Sequence, residues 1–197
     1  MKTYIIKSQK ELEKYKDEYG YYVPGNAEFE YSAEFQGRLR VDGYIEVKAG
    51  EYIKAGWYIK AGGYIEAGWY IEAGGSIKAG GYIEAGEYIK AGGCIEAGWY
   101  IEADEYIKAG EYYGISAGLS IFCKKELSFG LNAYAGIKTW GEATEEEKTI
   151  TCGKLTNGNV KYGILNETGL DDEKPAGKKV RIKLADNQIV EGTIVEE

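Results

Sequence analysis

From Glu51 to Gly110 the chain repeats every six residues: EYIKAG WYIKAG GYIEAG WYIEAG GSIKAG GYIEAG EYIKAG GCIEAG WYIEAD EYIKAG. Each unit carries an isoleucine: Ile53, Ile59, Ile65, Ile71, Ile77, Ile83, Ile89, Ile95, Ile101 and Ile107. Two residues later stands an alanine, with only Lys or Glu between them. A period of six scatters isoleucines all around a 3.6-residue helix, and each glycine inside such a helix would cost about 1 kcal/mol. Apolar residues on alternate positions are instead the mark of a strand with one buried face. Ile and Ala point inward, Tyr and Lys/Glu point outward, and the Gly-x pair turns the chain. Six residues are too few for an independent hairpin or helix but suit one side of a solenoid coil.

The phase can be carried beyond the visible motif. Stepping back by six gives Val47, Val41, Phe35 and Phe29, and stepping forward gives Tyr113 and Leu119. On this phase the small inward column runs from Ala49 to Ala109, preceded by Tyr31, Gly37 and Gly43 and followed by Ile115 and Ile121. The outward residues that precede the motif are then Glu30, Gln36, Asp42 and Lys48. Lys125 falls on the next inward position, so the hexads are expected to end near residue 121. The expected fold is mainly β: a single-stranded β-helix, triangular, with about 18 residues per coil. Sixteen units would make five coils and one further side, a rod about 25 Å long at ~4.8 Å per coil. A flattened solenoid with 12 residues per coil is the alternative.

The flanks divide into three expected units around the β-helix of residues 27–121. Residues 1–26 read as a cap of one strand, TYIIK, and one helix. Ser8 and Glu11 form a capping-box pattern, the helix is expected from Gln9 to about Tyr19, and Gly20 stops it. Residues 122–149 read as terminal strands, with alternation over 127–137, followed by an acidic loop, EATEEEK. Residues 150–197 read as a C-terminal β-hairpin unit: one hairpin centred on Asn157-Gly158 and a second in KKVRIKL-ADNQ-IVEGTIVEE. Between them DDEKPAG reads as a linker, whose Asp171, Asp172 and Glu173 are a charge cluster rather than a cation site. Both ends of the rod are thereby expected to be capped, which protects them from edge pairing.

The repeat resembles hexapeptide-repeat and bactofilin-like β-helix proteins, and the I-x-A-G repeat proteins of phage and prophage origin. The resemblance covers about half of the chain. It implies a solenoid, and with the phage-type relatives a small inhibitory binding protein. Hexapeptide acyltransferases place their small inward residue two positions before the aliphatic one, whereas here it comes two after.

Composition narrows the chemistry. There is no histidine, which removes Ser-His-Asp and Cys-His nucleophile systems, histidine metal sites and the histidine base of hexapeptide acyltransferases. Cys94, Cys123 and Cys152 form no CxxC, so neither a disulfide framework nor a zinc site is expected. The formal net charge is −8, which disfavours direct nucleic-acid or acidic-membrane binding and permits a basic protein partner. No phosphate loop, membrane span or signal-peptide apolar run is present, and a host-cell cytoplasm is the expected compartment. We therefore expect no catalytic residue, cofactor or metal.

The expected partner-binding residues are Glu66, Glu84 and Glu102, which line up if coils have 18 residues, and Trp57, Trp69 and Trp99 at the corners. A row of carboxylates can imitate a nucleic-acid backbone, and exposed tryptophans serve as interface anchors. The favoured expectation is a non-enzymatic, acidic, phage-type inhibitor. It would occupy a basic surface of a host nucleic-acid-handling or defence enzyme, as anti-CRISPR proteins do. The alternative is a bactofilin-like structural rod or polymer, and a homodimer fits either reading.

Overall fold

The computed structural model describes residues 1–170, 179–183 and 189–193. Its strands stack into a β-solenoid of about eight turns with ~18 residues per coil. Each coil is a triangle. Face 1 is a nine-stranded sheet running from Thr3–Ile6 to Ile164–Glu167. Face 2 begins at Ala33–Phe35, and face 3 at the Lys16–Asp17 and Gly20–Val23 pair. The chain visits the faces in that order before returning to face 1.

Registers settle the coil length. Ile65 lies over Ile83, Ile71 over Ile89, and Ile77 over Ile95. These are 18-residue steps, which exclude the 12-residue solenoid. Parallel rungs bring identical side chains together, so the interior consists of stacked isoleucine columns beside stacked alanine columns. The isoleucines from Ile53 to Ile107 are fully buried. Each contributes about 1.5–3 kcal/mol relative to exposure. The small alanines, also buried, keep the triangle narrow.

Two insertions shift the phase that simple stepping by six suggests. Ile45 pairs with Ile65 and Ile95 with Ile115, both 20-residue steps. The first extra pair lies between Val47 and Ile53, where Gly50 takes φ +79° and the Glu51 N–H donates to the Lys48 carbonyl. The second lies between Ala109 and Ile115, where the Tyr113 N–H donates to the Gly110 carbonyl. Upstream, the isoleucine column therefore continues through Ile45, Leu39 and Ala33, while Val47, Val41 and Phe35 belong to the alanine column. Ala49 is exposed in the turn and does not point inward. Downstream, Ile115, Ile121 and Leu127 carry the isoleucine column. Tyr113 is 47% exposed rather than core, and Leu119 is only half-buried. Leu127, not Lys125, fills the next inward position, so the repeat continues past residue 121.

The N-terminal segment forms the first coil. Thr3–Ile6 pairs with Asn26–Phe29 on face 1, and Gly20–Val23 pairs with Arg38–Val41 on face 3. Between them, where later coils have a face-2 strand, stand a helical turn at Gln9–Leu12 and a 3-10 turn at Glu13–Tyr15. The helix is thus much shorter than expected, because the chain must return to sheet by Lys16. Leu12 plugs the interior with no exposed surface. The Ser8 side chain makes no cap bond, and Glu11 instead accepts from the Lys7 N–H at 2.7 Å. Lys16–Asp17 pairs antiparallel with Gly20–Tyr21, but among the described residues Thr3–Ile6 has a neighbour on one side only.

At the far end Glu126–Ala135 runs straight across two faces, pairing with Tyr106–Lys108 of face 2 and Ile115–Ala117 of face 3. Lys154–Tyr162 then lies parallel to it as one long strand. No hairpin forms at Asn157-Gly158. Gly158 serves instead for close approach, since a Cβ there would lie 2.2 Å from the Phe129 ring. The second expected hairpin is present: Lys179–Lys183 and Ile189–Thr193 pair antiparallel. Residues 171–178, with the Asp171-Asp172-Glu173 cluster, lie outside the described residues. Among the described residues no helix is long and apolar enough to cross a membrane.

Candidate partner-binding face

In the three-residue strands of the repeat one side chain, the residue between the two inward positions, projects squarely from each face. On face 1 this residue is Glu28, Glu46, Glu66, Glu84 and Glu102 on five consecutive rungs. Glu66, Glu84 and Glu102 are therefore aligned as expected. Glu28 and Glu46 extend the row, and sequence reasoning missed them because it placed Glu30 and Lys48 there. Ile5 precedes the row and Phe122 follows it.

Parallel rungs lie about 4.8 Å apart, a spacing at which unit charges repel by about 1 kcal/mol even in water. Among the described residues none of the five carboxylates has a salt-bridge partner. Tyrosines supply the compensation. The hydroxyls of Tyr44, Tyr64, Tyr82 and Tyr100 donate to Glu28, Glu46, Glu66 and Glu84 at 2.6, 3.2, 2.9 and 3.2 Å. Their rings stack in turn, with centroids 4.7, 4.7 and 4.9 Å apart and planes within 3°. Burial, then the Glu84 carboxylate, pushes the Tyr100 hydroxyl up to about 12. Burial also raises Tyr64 and Tyr82, again with help from the carboxylates they bond.

Glu102 lacks this device. Ser120 stands where a tyrosine would reach it. Burial, followed by the charges of Glu84 and Asp104, pushes its carboxyl above the ordinary glutamate value, against a smaller opposing pull from Lys124.

The other two faces differ in charge. Face 2 presents Glu34, Lys54, Glu72, Lys90 and Lys108, with Lys54–Glu34 and Lys90–Glu72 ion pairs at 3.6 and 3.5 Å. Its tyrosines Tyr52, Tyr70, Tyr88 and Tyr106 form a second ladder at 4.4, 4.6 and 4.7 Å. Face 3 presents Arg40, Lys60, Lys78 and Glu96. Burial raises the Glu96 carboxyl, but hydrogen bonds from Lys78 and Cys94 outweigh it and hold the group low. The outward residues of the repeat are thus acidic on face 1, while its strand lysines stand on faces 2 and 3.

The three tryptophans do not come together. Trp57 stands on the edge between faces 2 and 3, Trp69 between faces 1 and 2, and Trp99 between faces 3 and 1. They are 53%, 40% and 49% exposed. Trp69 and Trp99 therefore flank the acidic face, and Trp57 does not belong to it. Trp69 also packs edge-on against Tyr52 and Tyr70. Its edge column continues through Glu51, Glu87 and Glu105, whose backbones are linked rung to rung. Trp140, 59% exposed in the 136–148 connection, was not anticipated; an isolated Trp in a polar loop was the available signal. Among the described residues no group of three His, Cys, Asp or Glu side chains is placed to hold a metal ion.

These features define a β-solenoid with one carboxylate-lined face. No protein-family model, curated protein or solved structure matches the chain.

Proposed function

We propose that this β-solenoid is a binding protein without catalytic activity of its own, and that face 1 occupies a basic surface of a protein partner. The unbroken row of Glu28, Glu46, Glu66, Glu84 and Glu102 carries the reading. Its charges recur about every 4.8 Å, against 3.4 Å along one DNA strand. Glu51, Glu87 and Glu105 on the adjoining edge bring the density nearer to that of a nucleic-acid backbone. The partner this favours is a nucleic-acid-handling enzyme, held off its substrate in the manner of a phage-type inhibitor. Carboxylate catalysis is disfavoured because acid–base work needs two groups in contrasting environments, and most rungs of this row are alike.

The test is capture from a host lysate by the wild-type chain and by the Glu66→Gln/Glu84→Gln/Glu102→Gln variant, which keeps the tyrosine acceptors. Nucleic-acid-binding proteins released by salt and by added DNA, and captured at least tenfold less by the variant, are expected. Equal capture by both chains would refute the acidic-face reading.

A structural rod is the second reading. Among the described residues, Thr3–Ile6 and Ile164–Glu167 each have a neighbour on one side only, leaving sheet edges at both ends of face 1. Size-exclusion chromatography with mass detection separates the two: species that grow with concentration favour the rod, and a monomer or dimer favours the inhibitor.

A further inference from the structure

On faces 1 and 2 a tyrosine precedes the inward isoleucine on four consecutive rungs, and those rings stack without a gap. Face 3 begins such a column and then abandons it. Tyr58 is followed on the next three rungs by Ser76, Cys94 and Gly114. One side of the Tyr58 ring is occupied by Arg38, whose guanidinium sits 6.0 Å from the ring centroid and donates to the hydroxyl at 3.1 Å. Trp57 meets the Tyr58 ring at 5.7 Å with the planes tilted by 58°, and among the described residues no ring stacks on Tyr58 from the Ser76 rung.

The vacancy is a cavity of about 600 Å³ with Trp57, Tyr58, Lys60, Ser76, Lys78 and Tyr113 on its walls. That volume lies within the range of small-molecule sites. Glycines floor it, and Gly75 comes so close to Trp57 that a Cβ would lie 3.2 Å from the indole. The second inserted turn closes the opposite end by folding Tyr113 back over Gly110. Aromatic surface thus stands at both ends of the gap. The charge along its side is positive: Lys78 is paired with Glu96 at 2.8 Å, while Lys60 has no ion-pair partner among the described residues.

We infer that this trough binds a small planar aromatic anion, its ring taking the place of the missing tyrosine against Tyr58 and its negative group meeting Lys60. Rings stacked on Tyr and Trp and a cation at their margin are the elements that recognise such a ligand. The site is on face 3, away from the carboxylate row, so it stands or falls separately from the proposed partner-binding face.

The experiment is titration of the full chain with adenosine monophosphate and with indole-3-acetate, read by tryptophan fluorescence against a Trp57→Phe control and by calorimetry. Saturable binding of at least one probe is expected. Adenosine and ribose 5-phosphate, which each lack one half of the recognition, should bind at least tenfold more weakly than the monophosphate if that is the probe bound. Ser76→Tyr rebuilds the Gly-Tyr-Ile corner already present at Gly63-Tyr64-Ile65, so it should fold and abolish binding. Lys60→Gln should weaken binding at least threefold. Tyr58→Leu removes the platform without filling the gap and decides the matter should Ser76→Tyr fail to fold. Absence of binding by both probes, or unchanged binding in Ser76→Tyr or in Tyr58→Leu, would overturn the inference.

Discussion

Gly50 and Gly80 are both needed, for different reasons. Gly80 lies in a corner where successive coils almost touch; a Cβ would stand 2.1 Å from the Gly62 carbonyl oxygen. Gly50 has open space around it but takes φ +79° in the first inserted turn. Gly80→Ala should therefore cost about 3 kcal/mol or more, because backbone must move. Gly50→Ala should cost only about 1 kcal/mol, the strain of a left-handed residue. Urea unfolding of the two variants checks the contrast, and equal losses would contradict it. Glu102 gives a pH-dependent case. Its folded pKa is raised, so the fold binds its proton more tightly than the unfolded chain does. That stabilisation is complete below the ordinary glutamate value of 4.5 and is lost as pH rises through the raised one. Glu102→Gln should accordingly raise Tm at pH 7 and leave it nearly unchanged near pH 4. The inward isoleucines and alanines were readable from spacing alone. Which of the two inward columns Val47 or Ile45 joins was not, because both positions of that strand are apolar.

At the scale of strands and turns, the two insertions are what the sequence conceals. The first places Glu51-Tyr52 before Ile53, and ordinary corners also read Glu-Tyr-Ile, at Glu87-Tyr88-Ile89 and Glu105-Tyr106-Ile107. Only the rung-to-rung pairing reveals that the turn between Lys48, bonded to the Phe29 carbonyl, and Glu51, bonded from the Trp69 N–H, holds two surplus residues; removing Lys48-Ala49 shortens it while keeping a glycine at the corner. Deleting those two residues leaves Val47-Gly-Glu-Tyr-Ile, a normal corner. Because loop-length changes of this size cost little, the deletion should keep the fold and move Tm by no more than a few degrees. A collapse in cooperativity on thermal unfolding would show that the turn is structural. The Asn157-Gly158 signal failed for a related reason. A hairpin there would sacrifice the pairing of Lys154–Tyr162 along Glu126–Ala135, and the long parallel ladder prevails over a local turn preference. The expected helix to Tyr19 likewise gave way, because Lys16–Asp17 turns back to pair with Gly20–Tyr21 at the start of face 3.

For the whole molecule, the repeat makes stability nearly a sum over neighbouring coils. Residues 66–83 form one complete turn, and their removal joins Ile65 to Glu84 with every face in phase. That chain should fold with a shorter glutamate row and a lower Tm. Removing only twelve residues, 66–77, carries the later side chains onto different faces and puts Lys78 in the row. Such a chain should still show a β-rich circular dichroism spectrum, yet lose the salt-sensitive partner capture that the eighteen-residue deletion retains in part. The triangular architecture was legible because one period governs half of the chain. The distribution of charge among its sides was not fully legible, since two extra residues are enough to exchange Lys48 for Glu46 as the outward group.

Five carboxylates in register have a drawback as a recognition surface. A partner that reads only carboxylates meets the same pattern after sliding by one coil, as on a ruler without a zero mark. The two residues that bound the series are both hydrophobic, Ile5 beneath Glu28 and Phe122 above Glu102. A partner that must stop at one position along the rod can take its bearings from those two greasy end stops and from the flanking indoles.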